Sequence, residues 1–320
     1  MWWSRIIVFL FACTFLEACG PPPIRRQWTP IGPGLNYDIN SIEFINSDSS
    51  IWITGGENDE LGYIANASIQ NTTWRVEVIA NEPFYDLFVL DDQNFYLGGQ
   101  NGLFARSTDG GINWDLGRID SSRNINALFF FDELRGYAAT GDEYDFGQLF
   151  ETRDGGQNWE LIFESDRTFR DIFFPDPSVG YLASYGFIFK TTNAGLSWEP
   201  TSAGGENFTG LYFFSADTGH ACGGQGSIRY TFDGGENWRV TYPKSKPFAA
   251  RRILNDIEFL TREIGYACGD RGDLFRSVDG GRTWAVVTRI SDTWFTSLSV
   301  LRRDDVLVGD RDGNLFLVSP

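Results

Sequence analysis

Four aspartates recur in the same short sequence context, and a row of carboxylates is a candidate for metal binding or for general acid–base catalysis. They are Asp109, Asp154, Asp233 and Asp279. Carboxyl pairs that act together in catalysis lie within roughly 5 to 10 Å of each other, whereas these aspartates belong to separate repeats. Asn193 replaces the aspartate in a further copy, where an amide can form the same turn without the charge. We therefore predict a structural role for this position, and neither a catalytic nor a metal site.

The phrase around the aspartates, Ser/Thr-x-Asp-Gly-Gly-x-x-Trp, is repeated along the chain and predicts its architecture. With a degraded copy at position 74 and a related tryptophan at position 28, the repeated residues are Trp28, Trp74, Trp114, Trp159, Trp198, Trp238 and Trp284. They are 39 to 46 residues apart, which matches the roughly 40 to 50 residue period of propeller blades. A carboxylate that accepts backbone amides, followed by glycines that tolerate positive φ, favours a tight turn before each tryptophan.

Short apolar runs bounded by glycine or aspartate predict four strands in each repeat, as in residues 253–288. Six such meanders are complete, and a seventh stops after its third strand. The segment from Gln27 to Ile31 matches the tryptophan-led outer strand of the other repeats, so we expect it to complete the last blade and close the ring. The prediction is one all-β domain over residues 27–320, a seven-bladed β-propeller of four-stranded antiparallel blades.

The repeated phrase resembles the Asp box, or BNR repeat. Combined with Gly-Tyr-Ala-x-Gly and Gly-x-Leu-Phe-x-Ser/Thr, it resembles the photosystem II stability and assembly factor family and its relatives in non-photosynthetic bacteria. The resemblance covers residues 27–319 and implies a non-catalytic propeller that serves as an assembly or docking factor. Lipoprotein signals occur among the bacterial members of that family. Asp boxes also occur in sialidases and other glycosidases, so a carbohydrate-active or carbohydrate-binding propeller is the alternative.

The first residues predict export and lipidation. Residues 6–15 form an apolar run that is too short to span a bilayer and follows a weakly basic start. The tetrad from Leu16 to Cys19 resembles the lipobox of bacterial lipoproteins, in which the signal is cut before an acylated cysteine. We predict a signal peptide over residues 1–18, a lipid on Cys19, a proline-rich tether over residues 19–26 and a membrane of the bacterial cell envelope as the location. Ordinary signal cleavage beside an incidental cysteine is the alternative.

The remaining cysteines and the single histidine do not suggest catalysis. Cys222 and Cys268 occupy equivalent places in adjacent repeats, about 10 Å apart if the repeats are neighbouring sheets, which exceeds disulfide reach. We predict two small buried hydrophobic side chains. His220 replaces a tyrosine of the other repeats, so we predict a core side chain. No cofactor fingerprint is present, and we expect no cofactor and no enzymatic activity.

The acidic balance narrows the choice of partner. The formal net charge is −17, which argues against nucleic acid and is typical of a solvated exterior that resists self-association. We expect a monomer that binds a protein or an assembly intermediate in the cell envelope, with carbohydrate as the alternative ligand. Under that alternative, the aromatic residues Trp294 and Tyr144 would stack on sugars.

A ligand would most simply enter the central channel. Each predicted inner strand begins with a residue that we expect to line the mouth of this channel, and these residues are polar in every repeat. The ring consists of Asn40, Tyr85, Asn126, Arg170, Thr209, Asn255 and Thr296. Two interpretations stay open: a site for a ligand or for a loop of a partner, or a water-filled polar channel.

A basic connection over residues 244–252 stands out on this acidic chain. Its charged residues are Lys244, Lys246, Arg251 and Arg252. It predicts either a docking loop for an acidic partner or a solvated insertion.

Overall fold

The structure is a computed structural model that describes residues 27–142, 145–242, 252–290, 293–301 and 304–319. The signal peptide, Cys19 and the tether lie outside the described residues. The described chain is built almost entirely of strands. In chain order they are β1 (Gln27–Pro30), β2 (Asp38–Ile45), β3 (Ser50–Glu57), β4 (Leu61–Ser68), β5 (Asn71–Ala80), β6 (Phe84–Val89), β7 (Phe95–Gly99), β8 (Leu103–Ser107), β9 (Asp115–Arg118), β10 (Ile125–Phe130), β11 (Gly136–Gly141), β12 (Gly147–Thr152), β13 (Glu160–Ser165), β14 (Phe169–Phe173), β15 (Gly180–Thr191), β16 (Glu199–Phe213), β17 (Gly219–Gly223), β18 (Ile228–Thr231), β19 (Arg239–Tyr242), β20 (Leu254–Phe259), β21 (Gly265–Gly269), β22 (Asp273–Ser277), β23 (Ala285–Arg289), β24 (Phe295–Val300), β25 (Val306–Asp310) and β26 (Leu315–Ser319).

The strands form antiparallel meanders arranged around a central axis. Five sheets have four strands each, in the orders β2-β3-β4-β5, β6-β7-β8-β9, β10-β11-β12-β13, β20-β21-β22-β23 and β1-β26-β25-β24. A sixth sheet has six strands in the order β14-β15-β16-β17-β18-β19. The described residues therefore form an all-β propeller with six blades.

The predicted count of seven four-stranded blades is wrong. The cause is that β15 runs without interruption from Gly180 to Thr191 and β16 from Glu199 to Phe213, so each spans two of the predicted strands. β15 pairs with β14 through its first half and with β16 through its second half. β16 is likewise shared. Its first half pairs with β15 and its second half pairs with β17. Two repeats that were expected to form separate blades therefore share a strand and merge into one blade of six strands.

The ring closes between the two ends of the described chain. β1 pairs antiparallel with β26, from Gln27 opposite Ser319 to Pro30 opposite Phe316. The rings of Trp28 and Phe316 meet edge to face with centroids 5.5 Å apart. The segment at Gln27 thus completes the sheet at the other end of the chain, as its sequence predicts, and covers an edge that would otherwise be open.

The channel is surrounded by the inner segments of the sheets. These segments are β2, β6, β10, β14, the second half of β16, β20 and β24, and each contacts the next, with β24 returning to β2. The core lies between them and their neighbours. In three repeats a fully buried tyrosine of the second strand stacks on a phenylalanine in or just after the next inner segment. The pairs are Tyr96 with Phe130, Tyr137 with Phe174 and Tyr181 with Phe213, the last with centroids 3.7 Å apart.

The helical content of the described chain is small. Two three-residue 3₁₀ turns occur, Gln100–Gly102 and Asp270–Gly272. Among the described residues, no helix is long and apolar enough to cross a membrane.

Candidate functional site

The polar residues predicted at the channel mouth all line one cavity of about 500 Å³. These are Asn40, Tyr85, Asn126, Arg170, Thr209, Asn255 and Thr296. In every inner segment the strand pairing shifts register at this position, for example between Ile39 and Ser41. A bulge re-aims the side chain of the extra residue, which explains why the same position faces the channel in each repeat.

Most of these ring residues donate a hydrogen bond to the neighbouring inner segment. Asn40 Nδ2 donates to the carbonyl of Phe84 at 2.8 Å. Asn126 Nδ2 donates to the carbonyl of Phe169 at 2.7 Å. Thr209, Asn255 and Thr296 donate in the same way to Leu254, Phe295 and Ile39. The predicted ring therefore ties adjacent segments together, and these five side chains have less capacity left for a ligand.

The mouth also carries Tyr85 and two arginines. The hydroxyl of Tyr85 reaches outward and donates to Asn58 Oδ1 at 3.0 Å. Arg170 contributes a guanidinium to the cavity wall, and Arg311 contributes a second one. The Arg311 guanidinium lies 4.2 Å from the ring centroid of Trp294, whose side chain is 42% exposed. A cation stacked on an aromatic face is held in place and keeps its N–H donors available.

The repeat pattern of the sequence does not predict Arg311, because it marks only the starts of the inner strands. Arg311 lies in the connection between β25 and β26. Burial raises the pKa of Asp38 and of Asp270, and the positive charge of Arg311 opposes both increases. The guanidinium therefore lies near both carboxyl groups. The hairpin turn on which it lies, Asp310 to Asn314, is a sequence signal that could have indicated a residue held at the mouth.

Deeper in the channel, three aspartates join neighbouring inner segments. Each accepts a backbone N–H from the next segment through Oδ2. The pairs are Asp86 with Leu128 at 2.7 Å, Asp171 with Leu211 at 2.6 Å and Asp256 with Leu298 at 2.9 Å. In the segments that donate these N–H groups, the position equivalent to the aspartate is occupied by Ala127, Gly210 and Ser297. The Ser297 hydroxyl also donates to Asp256 Oδ2 at 3.2 Å.

Burial raises the pKa of these channel acids. It raises the pKa of Asp86 to about 6 and that of Asp171 to about 8, against the opposing effect of their backbone hydrogen bonds. Glu258, which accepts a hydrogen bond from the Val300 N–H at 2.8 Å, has its pKa raised to about 8 by burial. Burial, reinforced by Glu258, also raises the pKa of Glu43 well above its ordinary value. The sequence reasoning missed these acids, although an aspartate follows the ring residue in every second inner segment.

The repeated aspartates of the Asp-Gly-Gly turns lie away from the channel, at the outer hairpins. Asp109 Oδ1 accepts the Asn113 N–H and the Ser107 hydroxyl, each at 2.9 Å. These hydrogen bonds, led by the Asn113 N–H, lower the pKa of Asp109 to about 2. The pKa values of Asp154, Asp233 and Asp279 are lowered as well. Asn193 makes the same bond, with Oδ1 3.0 Å from the Ser197 N–H, so the turn does not require a charge.

The tryptophans that end these turns pack against the core to different extents. Trp198 and Trp284 are buried, whereas Trp114, Trp159 and Trp238 are half-buried. Trp284 Nε1 donates to the Gly281 carbonyl of its own turn at 3.0 Å. The indole therefore covers the turn that leads into the outer strand β23.

Cys222 and Cys268 are fully buried and unpaired, which confirms the prediction. His220 is 1% exposed, and burial lowers its pKa to about 4. Its Nε2 lies 3.2 Å from the Gly280 carbonyl, so that nitrogen carries the proton. Within the part of the chain that the structure describes, no group of three or more His, Cys, Asp or Glu side chains could hold a metal ion.

The basic connection is described in part. Lys244, Lys246 and Arg251 lie outside the described residues, as does Tyr144. Arg252 is described, and its guanidinium forms an ion pair with the buried Asp273. Asp273 also pairs with Arg289 at 2.9 Å. Arg252 thus satisfies a buried carboxylate within its own blade.

Comparisons with known proteins identify the fold. The sequence matches no protein-family model and no curated protein sequence. A structure of YCF48 bound to a D1 peptide is similar with a TM-score of 0.72 and 19% identity, over 92% of this chain and 97% of that chain. YCF48 from Cyanidioschyzon merolae is similar with a TM-score of 0.70 and 16% identity, over 92% and 99% of the two chains. The fold is that of a β-propeller.

A propeller with a different activity is also similar. The GH74 xyloglucanase from Xanthomonas campestris has a TM-score of 0.67 and 14% identity, and 90% of this chain aligns with 53% of that chain. Structural likeness at this level of identity shows the fold alone.

Proposed function

We propose that this protein is a non-enzymatic propeller that binds a protein partner at the face where the channel opens. The observation that carries the proposal is the pair of guanidiniums at the mouth, Arg170 and Arg311, on a chain whose net charge is −17. Glu43, Asp86, Asp171, Asp256 and Glu258 line the same cavity, but burial raises the pKa of each and so favours its neutral form. The two guanidiniums keep their charge and attract a negatively charged group to the mouth.

The chemistry of the mouth suits a carboxylate on a polypeptide. Among the described residues, the Arg311 guanidinium makes no ion pair, and its stacking on Trp294 holds the fork of donors in place. Arginine and tryptophan are also the residues that contribute most to protein–protein interfaces. An acidic side chain or a carboxyl terminus of the partner would meet these groups at the rim.

Two further observations support a docking role. Five of the ring residues and the three channel aspartates bind adjacent inner segments, which makes the mouth a rigid surface rather than a flexible one. Structures similar to this chain include YCF48 bound to a D1 peptide, so a propeller of this kind accommodates a peptide. This likeness and the sequence resemblance support the role of an assembly or stability factor.

The proposal includes a membrane tether. Leu16 to Cys19 resembles a lipobox, and a diacylated cysteine ahead of a proline-rich spacer would hold the propeller near a membrane of the bacterial envelope. Replacement of Cys19 by serine should move the protein from the membrane fraction to the soluble fraction. A Cys19→Ser protein that stays with the membrane would contradict the tether while leaving the binding face untouched.

Site-specific photocrosslinking in intact cells tests the binding face. A benzophenone amino acid replaces Tyr85 at the mouth or, as the control, Ile112, which is 59% exposed on the turn between β8 and β9 at the opposite face. We expect a discrete protein adduct from position 85 and none from position 112. Arg311→Glu should reduce that adduct at least fivefold. Equal adducts at both positions would reject the mouth as the binding face.

A screen on aryl glycosides and sialosides tests the non-enzymatic part of the proposal. Turnover that Arg170→Ala abolishes would replace the binding role with a catalytic one. Absence of turnover together with the mouth-specific adduct is the result that we expect.

A further inference from the structure

A second cavity, of about 410 Å³, lies beside the channel mouth where the six-stranded blade departs from the other blades. Here β15 and β16 continue through positions that are loops in the other repeats. Each strand bends at a glycine in the left-handed region, Gly186 with φ 96° and Gly205 with φ 90°. A Cβ atom at either glycine would meet no atom within 4 Å. The merged blade therefore leaves an open groove with a backbone floor.

Aromatic side chains line this groove. Tyr185 is 36% exposed and Phe187 is 39% exposed, which is high for aromatic residues in a strand pair. The guanidinium of Arg167 lies 5.8 Å from the ring centroid of Tyr185. The groove thus offers ring faces together with hydrogen-bond donors.

The opposite side of the groove carries polar groups. Glu206 Oε2 and Asn207 Oδ1 are buried and have no hydrogen-bond partner among the described residues. The exposed side chain of Gln225 adds a donor and an acceptor at the rim. Both oxygens are closed to solvent, so the hydrogen-bonding groups that a ligand meets in the groove are the exposed Gln225 amide and the Arg167 guanidinium, whose side chain is 42% exposed.

The charges around the groove are compensated. Glu206 Oε1 pairs with Arg229 at 2.9 Å, and both side chains are largely buried. Arg167 lies 3.8 Å from Asp166. On a chain with net charge −17, a groove whose charged groups are paired favours a neutral ligand over an anion or a cation.

We propose that this groove, formed by Tyr185, Phe187, Glu206, Asn207 and Gln225, is a binding site for a neutral oligosaccharide. The C–H faces of a pyranose stack on aromatic rings, and its hydroxyls both donate and accept hydrogen bonds. The groove supplies ring faces, donors and acceptors and lacks an aliphatic pocket for a peptide side chain. Its size accommodates one or two sugar rings. The site is separate from the channel, so it does not depend on partner binding at the mouth.

Isothermal titration calorimetry with cellotetraose, maltotetraose and chitotetraose tests this site on the exported full-length chain. We expect at least one of these sugars to bind with a dissociation constant in the micromolar to low millimolar range. Phe187→Ala should weaken that binding at least tenfold, with the thermal unfolding midpoint showing that the variant is folded.

Two substitutions of Gly224, to alanine and to leucine, distinguish an effect on the groove from a general effect on the fold. A Cβ at Gly224 would make ordinary contacts, the shortest 3.4 Å from the Asn207 nitrogen, and this glycine has no positive φ. Gly224→Ala should bind sugar as the parent does, whereas Gly224→Leu should fill the groove and abolish binding. Failure of all three sugars to bind, or equal binding by the alanine and leucine variants, would overturn the proposal. A proline-rich peptide that binds the groove when the sugars do not would overturn it as well.

Discussion

The Asp171 carboxylate in β14 accepts a hydrogen bond from the backbone N–H of Leu211 in β16 at 2.6 Å. This bond links two inner segments of the six-stranded blade in the same way that Asp86 and Asp256 link separate blades. The merging of two repeats at their outer parts therefore leaves their contact at the channel unchanged. The continuity of the channel wall depends on such bonds because the inner segments do not pair as strands with one another.

The first prediction concerns the pH dependence that Asp171 gives to folding. Its pKa is about 8 in the folded protein and 3.8 without burial, so the folded state holds a proton that the unfolded state releases. The free energy of unfolding should therefore fall as pH rises from about 4 to 8, by up to about 1.4 kcal/mol per pH unit from this group. In Asp171→Asn the decline between pH 5 and pH 8 should be shallower, as measured by urea unfolding.

The control for this prediction is a surface carboxylate. Asp115→Asn changes an exposed residue of β9 and should leave the slope of stability against pH as it is in the parent. A slope in Asp171→Asn equal to that of the parent would show that Asp171 is already ionised in the folded protein. Asp171→Ala should cost about 1–3 kcal/mol for each amide that loses its acceptor, and Ile172 and Leu211 both donate to this carboxylate.

The second prediction concerns His220, which occupies the place of the stacked tyrosines. Its pKa is lowered from 6.5 to about 4 by burial, so the folded state resists protonation. The stability that this causes is present above pH 6.5 and is lost as pH falls towards 4. His220→Tyr should remove this acid-induced loss because a tyrosine takes up no proton in this pH range. Its hydroxyl can donate to the turn carbonyl as Tyr137 does to Ala194 at 2.9 Å.

The thermal unfolding midpoint between pH 4 and pH 7 measures this effect. The difference in midpoint between His220→Tyr and the parent should grow as pH falls. A constant difference across that range would show that His220 does not titrate with folding.

The sequence predicts much of this fold because the signals that define it are local. Turn residues such as Asp109 and Gly111 bind within their own hairpin, and the repeat places them at a regular period. The pairing of Gln27 with Ser319 was predictable because one repeat lacks its outer strand and the start of the chain supplies one. The merging of two blades through β16 was not predictable. Nothing in residues 199–213 distinguishes a bent continuous strand from a loop.

The candidate site was predictable in position but not in chemistry. Bulges at equivalent places brought residues such as Asn40 and Thr296 to one cavity, as the repeat suggested. Such a side chain can face a ligand or bind a neighbouring carbonyl, and the choice depends on how closely two segments approach in space. These segments are about 40 or more residues apart in sequence, so no local pattern contains that information. For the same reason the groove at Phe187 emerged from the three-dimensional arrangement alone.

The third prediction concerns the second glycine of the turn that ends at Trp284. Gly281 has φ 74°, and a Cβ atom there would lie 2.1 Å from His220 Nε2. Gly281→Ala combines an unfavourable backbone conformation with a clash against a buried ring, so we expect a loss of about 2–4 kcal/mol. Gly117 in β9 is exposed and a Cβ there meets nothing within 4 Å, so Gly117→Ala is the control and should be nearly neutral. Similar unfolding midpoints for the two variants would contradict the packing of Gly281 against His220.

The fourth prediction concerns the role of the repeated aspartate. Asp109→Ala leaves the Asn113 N–H and the Ser107 hydroxyl without their acceptor, so it should lower the thermal midpoint clearly. Asp109→Asn should retain most of the stability, because Asn193 forms the same turn elsewhere in the chain. Both variants should leave partner binding at the channel mouth unchanged. An asparagine variant as unstable as the alanine variant would point to a role for the charge itself.

The fifth prediction concerns ring closure. β1 contributes four residue pairs to β26 and places Trp28 against Phe316, so a chain that begins after Pro30 exposes the edge of β26. An unpaired edge strand is a template for association between molecules. We therefore expect the truncated chain to unfold at a lower temperature and to elute as oligomers in size-exclusion chromatography, whereas a chain that begins at Gln27 stays monomeric. Trp28→Ala in the longer chain should lower the midpoint by a smaller amount, because the backbone pairing persists. Monomeric, equally stable behaviour of the truncated chain would show that β1 is not required to close the ring.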